Sequence, residues 1–326
     1  MDEKLRRKAI RRKFSSIGWA LLIYALIMNA AVFLIAMLDT IYQSVALAIT
    51  SGGEPDEQAI LEITESIMQN GWGYLLALIA GYIFMRMWKG KAFCRGQIWK
   101  RGRPMTFGTF MVVLCLLVSA QIAFQLLATV LEMILSCFGL TAMPSVEAAT
   151  MTATSISMFL YMCVGAPVGE ELLFRGLVLR ILESFGKRFA ILMSALLFGL
   201  FHGNLVQSPY AFGVGLVLGY VAIEYNIAWA MVLHMFNNLV LSDMLLRITL
   251  GVSEILGGLL GLAILWGMTI AAIVLVIVYR NQILAYRRSC PIKGAWVKSF
   301  FTAPGILVFC ILMLLSMAST LLVQLW

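Results

Sequence analysis

The stretch GAPVGEELLFRG, residues 165–176, decides how this chain of 326 residues is read. It sets two adjacent carboxylates, Glu170 and Glu171, in a run apolar enough to cross a bilayer, residues 153–174, with a guanidinium, Arg175, directly after it. Ionisable groups at membrane depth cost about 2.5–3.5 kcal/mol each on insertion scales. Both histidines of the chain lie in the same kind of setting, His202 in SALLFGLFHGN (194–204) and His234 in AWAMVLHMFNN (228–238). A chain that buries so many ionisable groups between residues 170 and 238 is expected to hold a reactive site there.

Outward from that stretch the sequence is that of a membrane protein. Apolar residues make up 62% of it and charged residues 12%, where soluble domains have about 45–50% and 25%. Apolar runs fall at 15–38, 72–88, 107–138, 153–174, 189–204, 208–225, 227–245, 257–279 and 303–326. A spanning helix needs about 20 residues. These runs predict an all-α polytopic membrane bundle with about 8–9 transmembrane helices, nine crossings or eight if one segment is re-entrant. The connections at 204–210 and 225–227 are short, so the three helices they join must be antiparallel neighbours. No internal repeat or soluble domain is visible. Residues 1–150 read as N-terminal membrane helices with basic loops, 151–245 as the half that carries the motifs, and 246–326 as C-terminal membrane helices.

The net charge of +8 is topological. Lys and Arg cluster at 4–13, 86–103, 175–188 and 280–298, with Arg247 apart, and the loops 39–71 and 139–155 carry none. Short basic loops stay cytoplasmic, which predicts a multi-pass cell-membrane protein with a cytoplasmic N-terminus and no nucleic-acid partner. The first apolar run exceeds the about 7–15 residues of a signal-peptide core and is read as an uncleaved span. The six cysteines contain no CxxC and support neither a disulfide framework nor a structural zinc site.

Residues four apart share a helix face, which pairs Glu171 with Arg175, Phe198 with His202, and His234 with Asn238. Arg175 can neutralise Glu171. Glu170, turned about 100° away, is then the unpaired carboxylate, and desolvation makes such a group a better proton acceptor. Pro167 and Gly169 are expected to interrupt the helix just ahead of it and admit water. A Glu and a His converging from two helices can activate water for attack on a carbonyl. A His and an Asn on a third can donate to the oxyanion, one such donor being worth about 3–4 kcal/mol in known hydrolases. The chemistry suggested is amide hydrolysis within the membrane. Each residue also has a plainer role open to it. A lone membrane histidine can serve as glue between helices, Phe198 and Asn237 as packing neighbours, and Asn204 as a helix-end residue. Glu132 and Asp243 read as wetted helix ends, with Asp243 close in sequence to His234, and Glu224 as a cytoplasmic turn.

EELLFR (170–175), FGLFH (198–202) and HMFNN (234–238) resemble, in that order, the EExxxR, FxxxH and HxxxN signatures of the CAAX prenyl protease type 2 family, also called the CPBP or Abi family of intramembrane endopeptidases. The resemblance covers about residues 150–245, and bacteriocin-processing and bacteriocin-immunity proteins belong to the same family. It implies that Glu170 and His202 activate the water, that His234 and Asn238 form the oxyanion site, and that Glu171 and Arg175 support the first helix. The expected partners are the bilayer and a membrane-associated or lipidated peptide. No cofactor is favoured. The alternative is a zinc-dependent protease with Glu170, His202 and His234 as ligands, although the HExxH spacing is absent. Two other functions compete: a peptide-binding immunity protein without turnover, and a proton-coupled transporter, against which the lack of a repeat counts. Oligomeric state is not legible.

Overall fold

The computed structural model describes residues 3–51, 57–151, 153–239 and 254–322. Asp243, Arg247 and the end of the 227–245 run lie outside the described residues. In order, the helices are α1 (Glu3–Ser51), α2 (Glu57–Met68), α3 (Trp72–Gly96), α4 (Phe107–Ser136) and α5 (Met143–Thr150). Next come α6 (Ile156–Glu183), α7 (Lys187–Phe201), α8 (Gln207–Glu224) and α9 (Ile227–Phe236). The chain continues through α10 (Glu254–Val278), α11 (Arg280–Ser289), α12 (Gly294–Phe301) and α13 (Pro304–Leu322). No strand occurs among the described residues. The protein is an all-α membrane helical bundle.

Five helices among the described residues are long and apolar enough to cross a membrane: Glu3–Thr50, Phe107–Ser136, Ile156–Glu183, Leu256–Val278 and Pro304–Leu321. The runs 72–88, 189–204 and 208–225 fall on helices outside this set, and the run 227–245 extends beyond the described residues. At 1.5 Å per residue, the 15 residues of α7 reach about 22 Å, short of a hydrocarbon core of about 30 Å. Helix α8 is longer but begins Gln-Ser-Pro and ends in Glu224. The short helices pack against one another and against α6, so their backbones are shielded by protein.

Helices α7 and α8 approach closely because Gly199 and Gly215 have no side chain. A Cβ on Gly199 would stand 2.6 Å from the Ser208 carbonyl oxygen, and one on Gly215 would stand 3.1 Å from the Ala195 Cα. Small residues at such crossings let backbones meet in a membrane. Helix α8 starts where Asn204 Oδ1 accepts from the amides of Val206 (3.0 Å) and Gln207 (2.9 Å), while Asn204 Nδ2 donates to the Ser145 carbonyl at 2.9 Å. Asn226 caps α9 in the same way, accepting from Trp229 N at 3.0 Å. The core that joins α1, α7, α12 and the turn after α6 is aromatic, with Phe14 packed at tilted and edge-on angles among Phe185, Phe189 and Phe300.

All four basic clusters meet on one face. Glu183 accepts from Lys100 (3.2 Å) and Arg180 (3.1 Å), and Glu224 accepts from Lys187 (2.8 Å) and Arg103 (3.4 Å). Lys13 reaches Ser184 Oγ at 3.1 Å, and Arg188 donates to the Arg287 carbonyl at 2.9 Å. Tyr286 also donates to Glu224, at 3.2 Å. Burial, and then the Glu224 charge, push its phenol above the ordinary range, so it remains a donor. Glu224 thus sits at the turn where its sequence position puts it.

Candidate active site

Helix α6 runs through Pro167 and Gly169 without a break. It absorbs the proline by widening: residues Tyr161–Gly165 and Glu171–Val178 are π-helical, and such bulges are frequent at functional sites. In the first bulge the Ala166 amide donates to the Tyr161 carbonyl, five residues back. The next amide in that register would come from Pro167, which has no N–H, so the Met162 carbonyl lacks an intrahelical donor. Asn238 Nδ2 supplies one at 3.0 Å. The expectation of an interrupted helix is therefore corrected to a bulged one, because a side chain from α9's end replaces the missing backbone bond.

Glu171 and Arg175 pair as their spacing predicts, at 2.8 Å, with both side chains fully buried. Arg175 also donates to the Gly215 carbonyl at 3.4 Å and lies over the Phe198 ring, 4.2 Å from its centroid. The same Glu171 oxygen that takes Arg175 receives His234 Nδ1 at 2.9 Å. A carboxylate only accepts, so Nδ1 carries the proton, and His234 Nε2 faces Glu170 Oε2 at 3.7 Å. Glu171 Oε2 and Arg175 Nε are buried without a partner among the described residues.

Glu170 keeps 26% of its side chain exposed. His202 Nδ1 stands 2.9 Å from the Phe198 carbonyl. That oxygen too can only accept, so His202 presents Nε2 as the free nitrogen. The Phe198 ring meets both imidazoles edge to face, His202 at 4.9 Å and His234 at 5.9 Å between centroids. Phe198 thus aligns two histidines from different helices.

The sequence-predicted residues fall into two groups. Glu170, Glu171, Arg175, His234 and Phe198 form one connected cluster. His202 joins them through Phe198, and among the described residues no hydrogen bond links it to Glu170. Asn238 is tied to Met162 and accepts from Asn237 Nδ2 at 3.2 Å; its carboxamide nitrogen carries a second N–H. The set Glu170, His202 and His234 does not fit a zinc ion: among the described residues no three His, Cys, Asp or Glu side chains gather closely enough to share a metal.

A cleft of about 1010 Å³ opens between α4, α5 and α10 and reaches Met162, Asn237 and Asn238; Asn238 lines it, while Glu170, His202 and His234 do not. Its α4 wall is the half nearer Ser136, away from the basic loop that precedes Phe107, so it lies on the side remote from the basic face. Glu132 lines it and accepts from the Ala142 amide at 2.6 Å, a tie that its reading as a wetted helix end did not include. Gln121 and Tyr210 also line it and were not singled out by sequence reasoning. A carboxamide within the apolar run 107–138 was the available signal, since polar groups at membrane depth seek partners.

Residues 152–240 match the family model described as Rce1-like: Type II CAAX prenyl endopeptidase Rce1-like. All three motifs lie inside the match, which supports the resemblance read from them to a family of membrane proteases. Comparison with curated proteins and with solved structures finds no match.

Proposed function

We propose that the protein is an intramembrane endopeptidase that hydrolyses a peptide bond of a membrane-associated or lipidated peptide. The observation that carries this is the asymmetry between neighbouring carboxylates. Glu171 is consumed by Arg175 and His234, while Glu170 is partly exposed beside His234 Nε2. A substrate carbonyl presented from the cleft is attacked by a water lying between Glu170 and His202 Nε2. Glu170 takes the water proton and delivers it to the leaving amine, so that one C–O bond forms as the C–N bond breaks. The developing oxyanion accepts from the second N–H of Asn238 and from His234 Nε2. Donation from Nε2 requires the imidazolium, whose charge the carboxylates on its two sides offset. Glu171 and Arg175 hold that ring, and Phe198 orients both imidazoles. No step uses a metal. The basic face lies in the cytoplasm of a cell membrane, together with the N-terminus.

The test is turnover of quenched fluorogenic lipopeptides by purified protein in liposomes. Wild type is expected to cleave with or without a strong chelator, and Glu170→Gln to be inactive. Full activity of Glu170→Gln ends this reading. Activity lost to chelator and restored by zinc ends its metal-free form.

A further inference from the structure

Beside the cleft, four hydrogen bonds form one directed file. Gln121 Nε2 donates to the Tyr210 hydroxyl (2.6 Å), and that hydroxyl donates to Asn237 Oδ1 (3.1 Å). Asn237 Nδ2 donates to Asn238 Oδ1 (3.2 Å), and Asn238 Nδ2 donates to the Met162 carbonyl (3.0 Å). Every link points the same way, so each bond polarises the next. The file ends on the carbonyl that Pro167 leaves without a donor, a fixed point on α6 four residues before Pro167's neighbour Ala166 and eight before Glu170.

Fixing both ends of the Asn238 carboxamide has a consequence for chemistry. With Oδ1 held by Asn237 and Nδ2 by Met162, oxygen and nitrogen cannot exchange places, and the remaining N–H stays available as a donor. Asn237 is itself held in that sense only because Tyr210 donates to its oxygen. Tyr210 receives its own donor from Gln121 and is braced by Phe124, edge to face at 5.3 Å. Resting on the peptidase reading above, we propose that Tyr210 and Gln121 are positioning residues that set the oxyanion-binding amide of Asn238, acting through Asn237. Tyr210 stands on α8 outside the three motifs, and Gln121 on α4 outside the matched segment. A helix beyond the family segment therefore takes part in orienting the site, from the wall the substrate would touch.

Full-length Tyr210→Phe and Gln121→Leu proteins, alone and combined with Asn238→Ala, would be assayed in liposomes on a quenched apolar lipopeptide. Tyr210→Phe is expected to lower kcat about tenfold and change KM by less than about twofold, with a smaller loss in the same sense for Gln121→Leu. In the Asn238→Ala background neither should cause further loss. Unchanged kcat, or an equal loss in both backgrounds, overturns the proposal. A spectroscopic arm needs no turnover. In protein labelled with ¹⁵N-asparagine, the Asn238 side-chain amide signals are identified by their disappearance in Asn238→Ala, and Tyr210→Phe is expected to shift them. Signals that stay in place overturn the proposal whether or not any peptide is cut. Retained activity in Glu170→Gln would instead defeat the peptidase reading and leave the spectral answer standing.

Discussion

Two regions of this molecule are built from the same chemistry, carboxylates against Lys and Arg, and behave as opposites. On the basic face, Glu183 and Glu224 pair with Lys100, Arg103 and Lys187, whose side chains remain 53%, 62% and 45% exposed. Such pairs are worth about 0–1 kcal/mol. Their service is to tie the basic segments 86–103 and 175–188 to the ends of α6 and α8. In the interior, Glu171 and Arg175 are fully buried, and a second cation-forming group, His234, shares the same oxygen. Burial makes each member dependent on the others, because an uncompensated charge there has no water to turn to. The contrast teaches that pairing alone does not mark a site. What marks it is a pair with no solvent, placed beside a carboxylate that has been left out.

That contrast can be broken or sharpened by substitution, taking the largest expected effect first. Glu170→Gln should reduce hydrolysis by about 10²–10⁴-fold, the range for removal of a general base, while unfolding in detergent stays close to wild type, since among the described residues Glu170 holds no ion pair shorter than 3.7 Å. Equal losses of activity and stability would make Glu170 another structural carboxylate and erase the distinction. Arg175→Met should destabilise the protein by about 3–5 kcal/mol, by stranding Glu171 in the interior; denaturant unfolding reads this, and adding Glu171→Gln should recover part of it. Asn238→Ala should lower kcat by about 10²–10³-fold, the cost of one oxyanion donor, with a smaller structural component from the freed Met162 carbonyl. At the other extreme, Lys187→Met on the basic face should shift stability by less than about 1 kcal/mol and leave kcat alone. A larger effect there would mean that the outer pairs are not the weak partners their exposure implies.

Much of this was legible before any coordinates. The spacing of Glu171 and Arg175 predicts their contact, and the helix delivers it at 2.8 Å. Phe198 and His202 are in contact as well, through the ring edge and the Phe198 carbonyl. What was not legible falls into two kinds. Among the described residues five helices are long and apolar enough to cross a membrane, and a run of apolar residues does not by itself reveal that α7 stops after 15 residues with protein around its ends. The partners of the site were hidden for a different reason. Glu171 and His234 are 63 positions apart, and Gln121 reaches Tyr210 across 89, so their meeting depends on how the helices cross.

The sequence by itself determined the membrane setting, the helical class, the motif residues and the pairs one turn apart, because hydropathy and the pitch of a helix are properties of neighbouring residues. Only the tertiary structure decided that His234 shares the Glu171 oxygen, which nitrogen each histidine presents, and that a proline-freed carbonyl captures Asn238. Those outcomes follow from the register between helices, set by close approaches such as those at Gly199 and Gly215 and by the cost of leaving polar groups unpaired in an apolar interior.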